Sequence, residues 1–229
     1  MATWVLIHGT PLTPAVWQPV AALLDGPKVM PDCTRVPGRT DAQNAIARTI
    51  APTLPAGRWD VVGHSFGGQI AIELALANAE RVKSLTVLCS RDTPFSPFAE
   101  VAEAVRQGTG PTVAAGLARW FTAGEIDADA EAVRQARADL AAATASPEDW
   151  ANALSAIATY DRSADVGRLE MPTYLVAAGR DSVSTPAVMT DLSARLPRAT
   201  LRVHEDWAHM SAFTDPPALA KMLTTSRSA

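Results

Sequence analysis

The sequence has few cysteines and no long apolar run. Its two cysteines, Cys33 and Cys89, are too few and too far apart for a CxxC metal or redox motif or for a disulfide framework. No stretch approaches the ~18 consecutive apolar residues of a membrane span, and Met1 is followed by a strand-like pattern without the basic segment of a secretory signal. These absences predict a cytoplasmic protein that does not cross a membrane.

Charged residues are scarce and evenly mixed. The 229 residues include 20 Lys and Arg against 24 Asp and Glu, a formal net charge of −4, without a long run of one sign. This balance disfavours nucleic acid and anionic membranes as partners. Hydrophobic residues make up 48% of the chain, which allows a sizeable core, and the length fits one domain that carries an insertion.

Short runs rich in Val, Ile and Leu alternate with helical patterns. Apolar residues fill both faces of these runs, as in parallel strands that helices cover on both sides. Between them, residues 14–24 place Val16, Val20, Leu23 and Leu24 on one stripe of a helix, and residues 66–77 form another helix. The pattern predicts an α/β fold with a mostly parallel sheet and helices on both faces. The predicted strands are residues 4–7, 28–30, 59–62, 84–89, 173–178 and 200–204.

One interval breaks this alternation. Residues 93–165 contain no strand pattern, but helix starts occur at Ser96-Pro97, at Asp127 and at Ser146-Pro147, with the serines as predicted N-caps. We therefore predict a core of residues 1–92 and 166–229, with an all-helical cap of residues 93–165 inserted between two strands. An insertion at this place is a candidate lid.

A glycine-rich turn follows the third predicted strand. Residues 63–68 read Gly-His-Ser-Phe-Gly-Gly and lead into a helix, the strand, turn and helix context of a G-x-S-x-G nucleophile elbow. Gly63 and Gly67 suit a turn at which strand and helix nearly touch. Ser65 is therefore the candidate nucleophile; the alternative is a chance occurrence of the motif.

A serine nucleophile needs a neighbouring base, and imidazole has the suitable pKa. Of the four histidines, His8 and His204 lie at strand ends and His64 precedes the nucleophile. His209 follows the last predicted strand, where the chain order nucleophile, acid, histidine puts the base. We therefore predict His209 as the base, against the alternative of a structural or surface imidazole.

Two aspartates are candidates for the carboxylate that would orient this histidine. Asp181 follows the strand of residues 173–178, and Asp92 follows the strand of residues 84–89; each lies at the edge where ligand sites of parallel sheets collect. Asp181 fits best and Asp92 is the alternative. For the oxyanion of an acyl-transfer reaction we predict the backbone N–H groups of Thr10 and Phe66.

These motifs resemble the α/β-hydrolase superfamily over nearly the whole chain. They are His8-Gly9, the elbow around Ser65, Gly179-Arg180-Asp181 and Trp207-Ala208-His209. The 3-oxoadipate enol-lactonases and the pimeloyl-carrier-protein methyl ester esterases are the most similar families. The resemblance implies a catalytic triad of Ser65, Asp181 and His209 under a helical cap. The chain departs from the family by starting at the strand that is usually the third, so we expect the leading antiparallel hairpin of the fold to be absent.

The predicted cap and core edge supply apolar side chains for a substrate pocket. Because charged residues are scarce on these segments, we expect a largely apolar acyl group. Plain core packing is the alternative for each side chain. The candidates are Trp17, Phe95, Phe98, Trp120, Phe121, Trp150, Trp207 and Met210.

The leading functional hypothesis is a serine hydrolase that cleaves a small carboxylic ester or lactone through an acyl-enzyme. A cofactor-free lyase or an acyltransferase with His209 as base is a second hypothesis, since fold does not fix function. A ligand-binding relative without catalysis is the third. No dinucleotide, phosphate-loop or metal-ligand motif is present, so we expect no cofactor and no metal; the oligomeric state is not indicated.

Overall fold

A computed structural model describes residues 2–227. In this part of the chain six strands form one sheet in the order β2-β1-β3-β4-β5-β6, and every neighbouring pair is parallel. The mostly parallel α/β class predicted from the sequence is confirmed. The strands are β1 (Thr3–Ile7), β2 (Lys28–Val29), β3 (Trp59–His64), β4 (Val82–Leu88), β5 (Thr173–Ala178) and β6 (Ala199–His204).

Helices connect these strands, and five of them fall between β4 and β5. Short 3-10 turns accompany the helices at Pro14–Trp17, Ala51–Thr53, Val166–Arg168 and Ser211–Thr214. The helices are α1 (Gln18–Ala21), α2 (Ala42–Ile50), α3 (Phe66–Ala77), α4 (Phe98–Arg106), α5 (Val113–Trp120), α6 (Ala123–Asp127), α7 (Glu131–Ala145), α8 (Glu148–Thr159), α9 (Pro186–Arg195) and α10 (Pro216–Arg227).

Burial is deepest in the middle of the sheet. Every residue of β1 and β3 is buried, and so is β4 except Lys83. The edge strand β6 is only partly covered and alternates between half-buried and exposed positions. Continuous apolar runs therefore mark the central strands, because both of their faces pack against other elements.

Three local predictions need correction. Leu23 does not join the buried stripe but is 52% exposed, because residues 14–24 form a 3-10 turn and the short α1 in place of one regular helix. Asp127 ends α6 and does not begin a helix; the chain then turns through Asp129, which has a φ of 45°, before α7 begins at Glu131. The serines at 96 and 146 make no side-chain caps.

Helices α4–α8 form the predicted helical cap beside the carboxyl ends of the strands. Asp139 of α7 accepts hydrogen bonds from the backbone and hydroxyl of Thr13, and the side chain of Asn152 of α8 donates to the carbonyl of Val36. These bonds join the cap to core loops. Among residues 2–227, no helix is both long enough and apolar enough to cross a membrane.

Candidate active site

Ser65 occupies a strained turn between β3 and α3. Its φ of 55° and ψ of −123° lie outside the regions that side chains usually adopt. The Ser65 N–H donates to the carbonyl of Leu88 at 2.9 Å, and the hydroxyl of Ser90 donates to the Ser65 carbonyl at 2.7 Å. Bonds on both sides of the residue therefore hold the turn in place.

The glycines of the elbow leave no room for a side chain. A Cβ on Gly63 would lie 2.2 Å from the carbonyl oxygen of Gly67, and one on Gly67 would lie 2.3 Å from that of His8. Both contacts are with backbone, which cannot move aside without displacing a strand or a helix. The close approach of β3, α3 and the loop after β1 therefore requires glycine at these two positions.

His209 and Asp181 come together from the loops that follow β6 and β5. The Nδ1 atom of His209 lies 2.6 Å from a carboxylate oxygen of Asp181, and the other oxygen accepts the N–H groups of Val183 and Ser184 at 2.9 and 3.0 Å. Burial by itself would raise the pKa of Asp181, but His209 and these two donors hold it below its usual value. Asp181 is therefore ionised and fixes the orientation of the ring.

A second histidine, His64, is bonded to the backbone of the loop that carries His209. His64 Nε2 lies 3.0 Å from the carbonyl of His209, and the two rings are 4.8 Å apart between centroids. Burial, together with the neighbouring His209, lowers the pKa of His64 to about 3. His64 is therefore neutral and donates through Nε2, because a carbonyl oxygen can only accept.

Asp92, the alternative acid, is bonded to an arginine and not to His209. It is fully buried, and its two oxygens accept from the Nε and a terminal nitrogen of Arg195 at 2.8 and 2.7 Å. This bidentate pair ties the loop after β4 to α9. The structure thus brings Asp181, and not Asp92, to His209.

The loop after β1 runs beside the elbow. A Cβ on Gly9 would lie 3.0 Å from the Cβ of Ser65, and Thr10 lines the same cavity as Ser65. Phe66 is the first residue of α3, so its N–H has no partner within the helix. Thr10 therefore shares the cavity with the candidate nucleophile and Phe66 follows it directly in the chain; their role as oxyanion donors stays a prediction.

His8 braces that loop with both ring nitrogens. Nδ1 donates to the carbonyl of Gly9 at 2.9 Å, and Nε2 accepts the N–H of Cys33 at 3.0 Å. Burial lowers the pKa of His8 below its ordinary value, partly offset by the hydrogen bond to Gly9. The ring is neutral and fixes the backbone just before Thr10. From the sequence, only the position of His8 at a strand end was predictable.

A small cavity of about 30 Å³ contains the candidate catalytic side chains. That volume holds about two water molecules. Its walls are mainly apolar side chains of the cap helices, with one cation. The lining consists of Thr10, Ser65, Phe98, Arg119, Trp120, Trp150, Leu154, Ile157, Asp181, Val183 and His209.

The lining corrects the predicted pocket. Trp120 and Trp150 lie on it, and so does Phe98, whereas the predicted Trp17, Phe95, Phe121 and Met210 do not. Trp17 packs edge-on against Phe213, Phe95 packs edge-on against Phe98, Phe121 and Met210 are buried in the core, and Trp207 stacks on His204.

Three wall residues of the cap were not among the predicted pocket residues. Leu154 and Ile157 follow Trp150 at spacings of four and three, so one stripe of α8 faces the cavity; this spacing is visible in the sequence. Arg119, next to Trp120 on α5, was missed because the segment is otherwise almost uncharged.

In residues 2–227, one group of potential metal ligands is close enough together to be considered. It comprises His64, Cys89 and His209, whose donor atoms lie within 4.8 Å of one another. Burial raises the pKa of the Cys89 thiol well above its ordinary value, so the thiol is protonated in the metal-free protein. His209 is already held by Asp181. The cluster therefore fits a histidine and its support better than a metal centre.

Comparison with known proteins gives a consistent result. The chain is 28% identical to the pimeloyl-[acyl-carrier protein] methyl ester esterase of Nitrosomonas europaea over 93% of this chain and 90% of that one. It is 30% identical to 3-oxoadipate enol-lactonase 2 of Acinetobacter baylyi over 68% of this chain and 58% of that one. The structure of the enol-lactonase from Burkholderia xenovorans shares the fold, with a TM-score of 0.84 at 20% identity, over 100% of this chain and 92% of that one.

The family model of the alpha/beta hydrolase fold matches residues 5–216, which include all of the sheet except the start of β1, the elbow, the cap and the candidate triad. This range includes every residue discussed above as part of the candidate site. The chain therefore belongs to the α/β hydrolase family and is a hydrolase.

Proposed function

We propose that the protein hydrolyses a small carboxylic ester or lactone, with Ser65 as nucleophile, His209 as base and Asp181 as the carboxylate that orients it. The hydrogen bond of 2.6 Å between His209 and Asp181, in the cavity that Ser65 lines, is the observation that carries the proposal. Relatives named as esterases and an enol-lactonase support the reaction class.

In the proposed reaction the Ser65 hydroxyl attacks the carbonyl carbon, and Nε2 of His209 accepts its proton. Asp181 holds the proton on Nδ1 and stabilises the imidazolium that forms. The N–H groups of Thr10 and Phe66 would bind the oxyanion of the tetrahedral intermediate. Collapse releases the alcohol, which takes the proton from His209, and leaves an acyl group on Ser65.

Water then completes the cycle. His209 removes a proton from a water molecule, which attacks the acyl carbonyl; the bond to Ser65 breaks and the serine recovers its proton. For a lactone the acyl and alcohol parts remain one molecule, and the product is a hydroxy or oxo acid. Neither step calls on a cofactor.

The small cavity indicates which acyl groups react best. Its volume of about 30 Å³, bordered by Trp120 and Trp150, favours short acyl chains. We expect acetyl and propionyl esters to react with a higher kcat/KM than octanoyl esters.

The proposal is tested by hydrolysis of p-nitrophenyl esters from acetate to octanoate. Ser65→Ala should lower kcat by at least about 10⁴-fold, since only binding and the oxyanion donors would remain. Ser163→Ala removes the same hydroxyl from a residue outside the cavity and should retain wild-type rates. Ser65→Ala with near wild-type turnover would refute the assignment.

A further inference from the structure

Arg119 is a cation on the wall of the catalytic cavity without a matching anion. It extends from α5 into the lining that includes Ser65 and His209. Within residues 2–227 it forms no ion pair, whereas the half-buried Arg162 and Arg195 are each paired with a buried carboxylate, Glu73 and Asp92 respectively. The guanidinium of Arg119 instead lies over a ring of the same wall, 5.5 Å from the centroid of Phe98.

The positive charge of Arg119 is only partly compensated by the groups around it. Burial lowers the pKa of Arg119, and Asp181 offsets this only in part. Asp181 is already bonded to His209 and to two backbone donors. The attraction between a guanidinium and an aromatic face compensates only part of the hydration free energy that the guanidinium loses on burial. A carboxylate that entered the cavity would supply the missing partner, because the planar fork of arginine binds carboxylates through two parallel hydrogen bonds.

We infer that the substrate carries an anionic group, most simply a carboxylate a few carbons from the scissile carbonyl, and that Arg119 binds it. The inference rests on the proposed ester or lactone hydrolysis and refines it. The other cap side chains on the wall are apolar, so the chain that joins the two carbonyl groups would lie against them. The expected apolar acyl group thus becomes a short apolar link that ends in a negative charge.

The test compares two esters, monomethyl succinate and methyl butanoate. They have acyl chains of equal length, but only the first carries a carboxylate, and it is the larger, so a preference for it cannot come from easier fit. Wild type should show a kcat/KM at least tenfold higher for monomethyl succinate. In Arg119→Gln the ratio of the two values should fall at least tenfold, mainly through KM for the charged ester.

Two further variants separate charge from structure. Arg119→Lys keeps the charge but not the fork and should restore part of the ratio. Arg137→Gln removes the same charge from an exposed residue of the cap, paired with Asp129 at 3.0 Å, and should keep the wild-type ratio. A wild-type ratio near one, or a ratio that Arg119→Gln leaves unchanged, would overturn the inference.

A binding measurement keeps the two claims distinguishable. Calorimetry with succinate needs no turnover: wild type and Ser65→Ala should bind it, and Arg119→Gln should bind at least tenfold more weakly. Absence of binding to wild type at millimolar succinate would overturn the inference even if p-nitrophenyl acetate is hydrolysed. Succinate binding without any Ser65-dependent hydrolysis would instead refute the proposed function and leave the anion site standing.

Discussion

The carboxylate of Asp181 has more donors than any alternative acid near the candidate base. One oxygen is bonded to the ring of His209 and the other to two backbone N–H groups. Asp92, at the corresponding end of the neighbouring strand, has both oxygens bonded to Arg195. The two carboxylates therefore have separate tasks: one orients a ring and the other joins a loop to a helix.

Substitution by asparagine should separate these tasks. Asp181→Asn should lower kcat by about 10⁴-fold, because the amide cannot hold the proton on Nδ1 of His209. Asp92→Asn should leave kcat within about threefold but lower the melting temperature, since Arg195 loses its charged partner. Steady-state kinetics and thermal melts of both variants measure this. A larger kinetic loss in Asp92→Asn would move the acid to the earlier strand.

At the scale of single residues, chain order and strand ends predicted which serine, histidine and aspartate to examine. The walls of the pocket were harder to predict. Trp17 and Met210 are as apolar as Trp120 and Trp150, yet they are buried away from the cavity. Sequence composition does not distinguish an apolar side chain that packs in a core from one that borders a cavity, because that depends on how the helices cross.

At the scale of elements, the strands were predictable because each is short, apolar and bounded by turn residues. All six lie within two residues of their predicted bounds. The helices of the cap were less predictable. Asp127 ends α6, although aspartate is a residue type that often begins a helix. The capping box of α6 is formed by Thr122 and Glu125, and Glu125 also accepts from Ser211, a core residue. A contact so distant in sequence is invisible to local patterns.

The elbow gives a prediction at this scale. Gly67→Ala should lower the free energy of unfolding by about 3 kcal/mol or more, because its Cβ would meet backbone oxygens of β1 and the loop after it at 2.3–2.4 Å. Gly124→Ala is the matched control: a Cβ there meets nothing within 4 Å, and alanine favours a helix, so stability should change by less than about 1 kcal/mol. Urea denaturation measures both; equal stabilities would contradict the packing described for the elbow.

For the whole molecule, the site depends on segments far apart in sequence. The loops after β1, β3, β5 and β6 meet at one edge of the sheet, and the cap closes over them. His64 is fully buried next to His209 at the centre of this assembly. The charges of Asp181 and His8 also act on the pKa of His64. This arrangement of the loops requires the His64 ring to be neutral.

Stability should therefore depend on pH through His64. Its folded pKa is about 3, below the ordinary 6.5, so between these values the unfolded chain binds more protons than the folded one. The stabilisation is complete above pH 6.5 and is lost as pH falls toward 3, with a slope that approaches ~1.4 kcal/mol per pH unit.

His64→Gln keeps a donor for the His209 carbonyl but does not titrate. The free energy of unfolding of this variant, measured by urea denaturation at several pH values, should decrease less steeply than that of wild type between pH 6.5 and 4. His8, whose pKa is also lowered, contributes in the same direction to both proteins. Parallel pH profiles would contradict a neutral, buried His64.

The central claim is that Ser65 forms a covalent bond with the substrate carbonyl. Mass spectrometry after reaction with a fluorophosphonate, which phosphonylates activated serines, tests it directly. We predict one label per chain, on the peptide that contains Ser65, and none in Ser65→Ala. An enzyme that hydrolyses esters but stays unlabelled, or takes its label on another serine such as Ser90, would contradict the account.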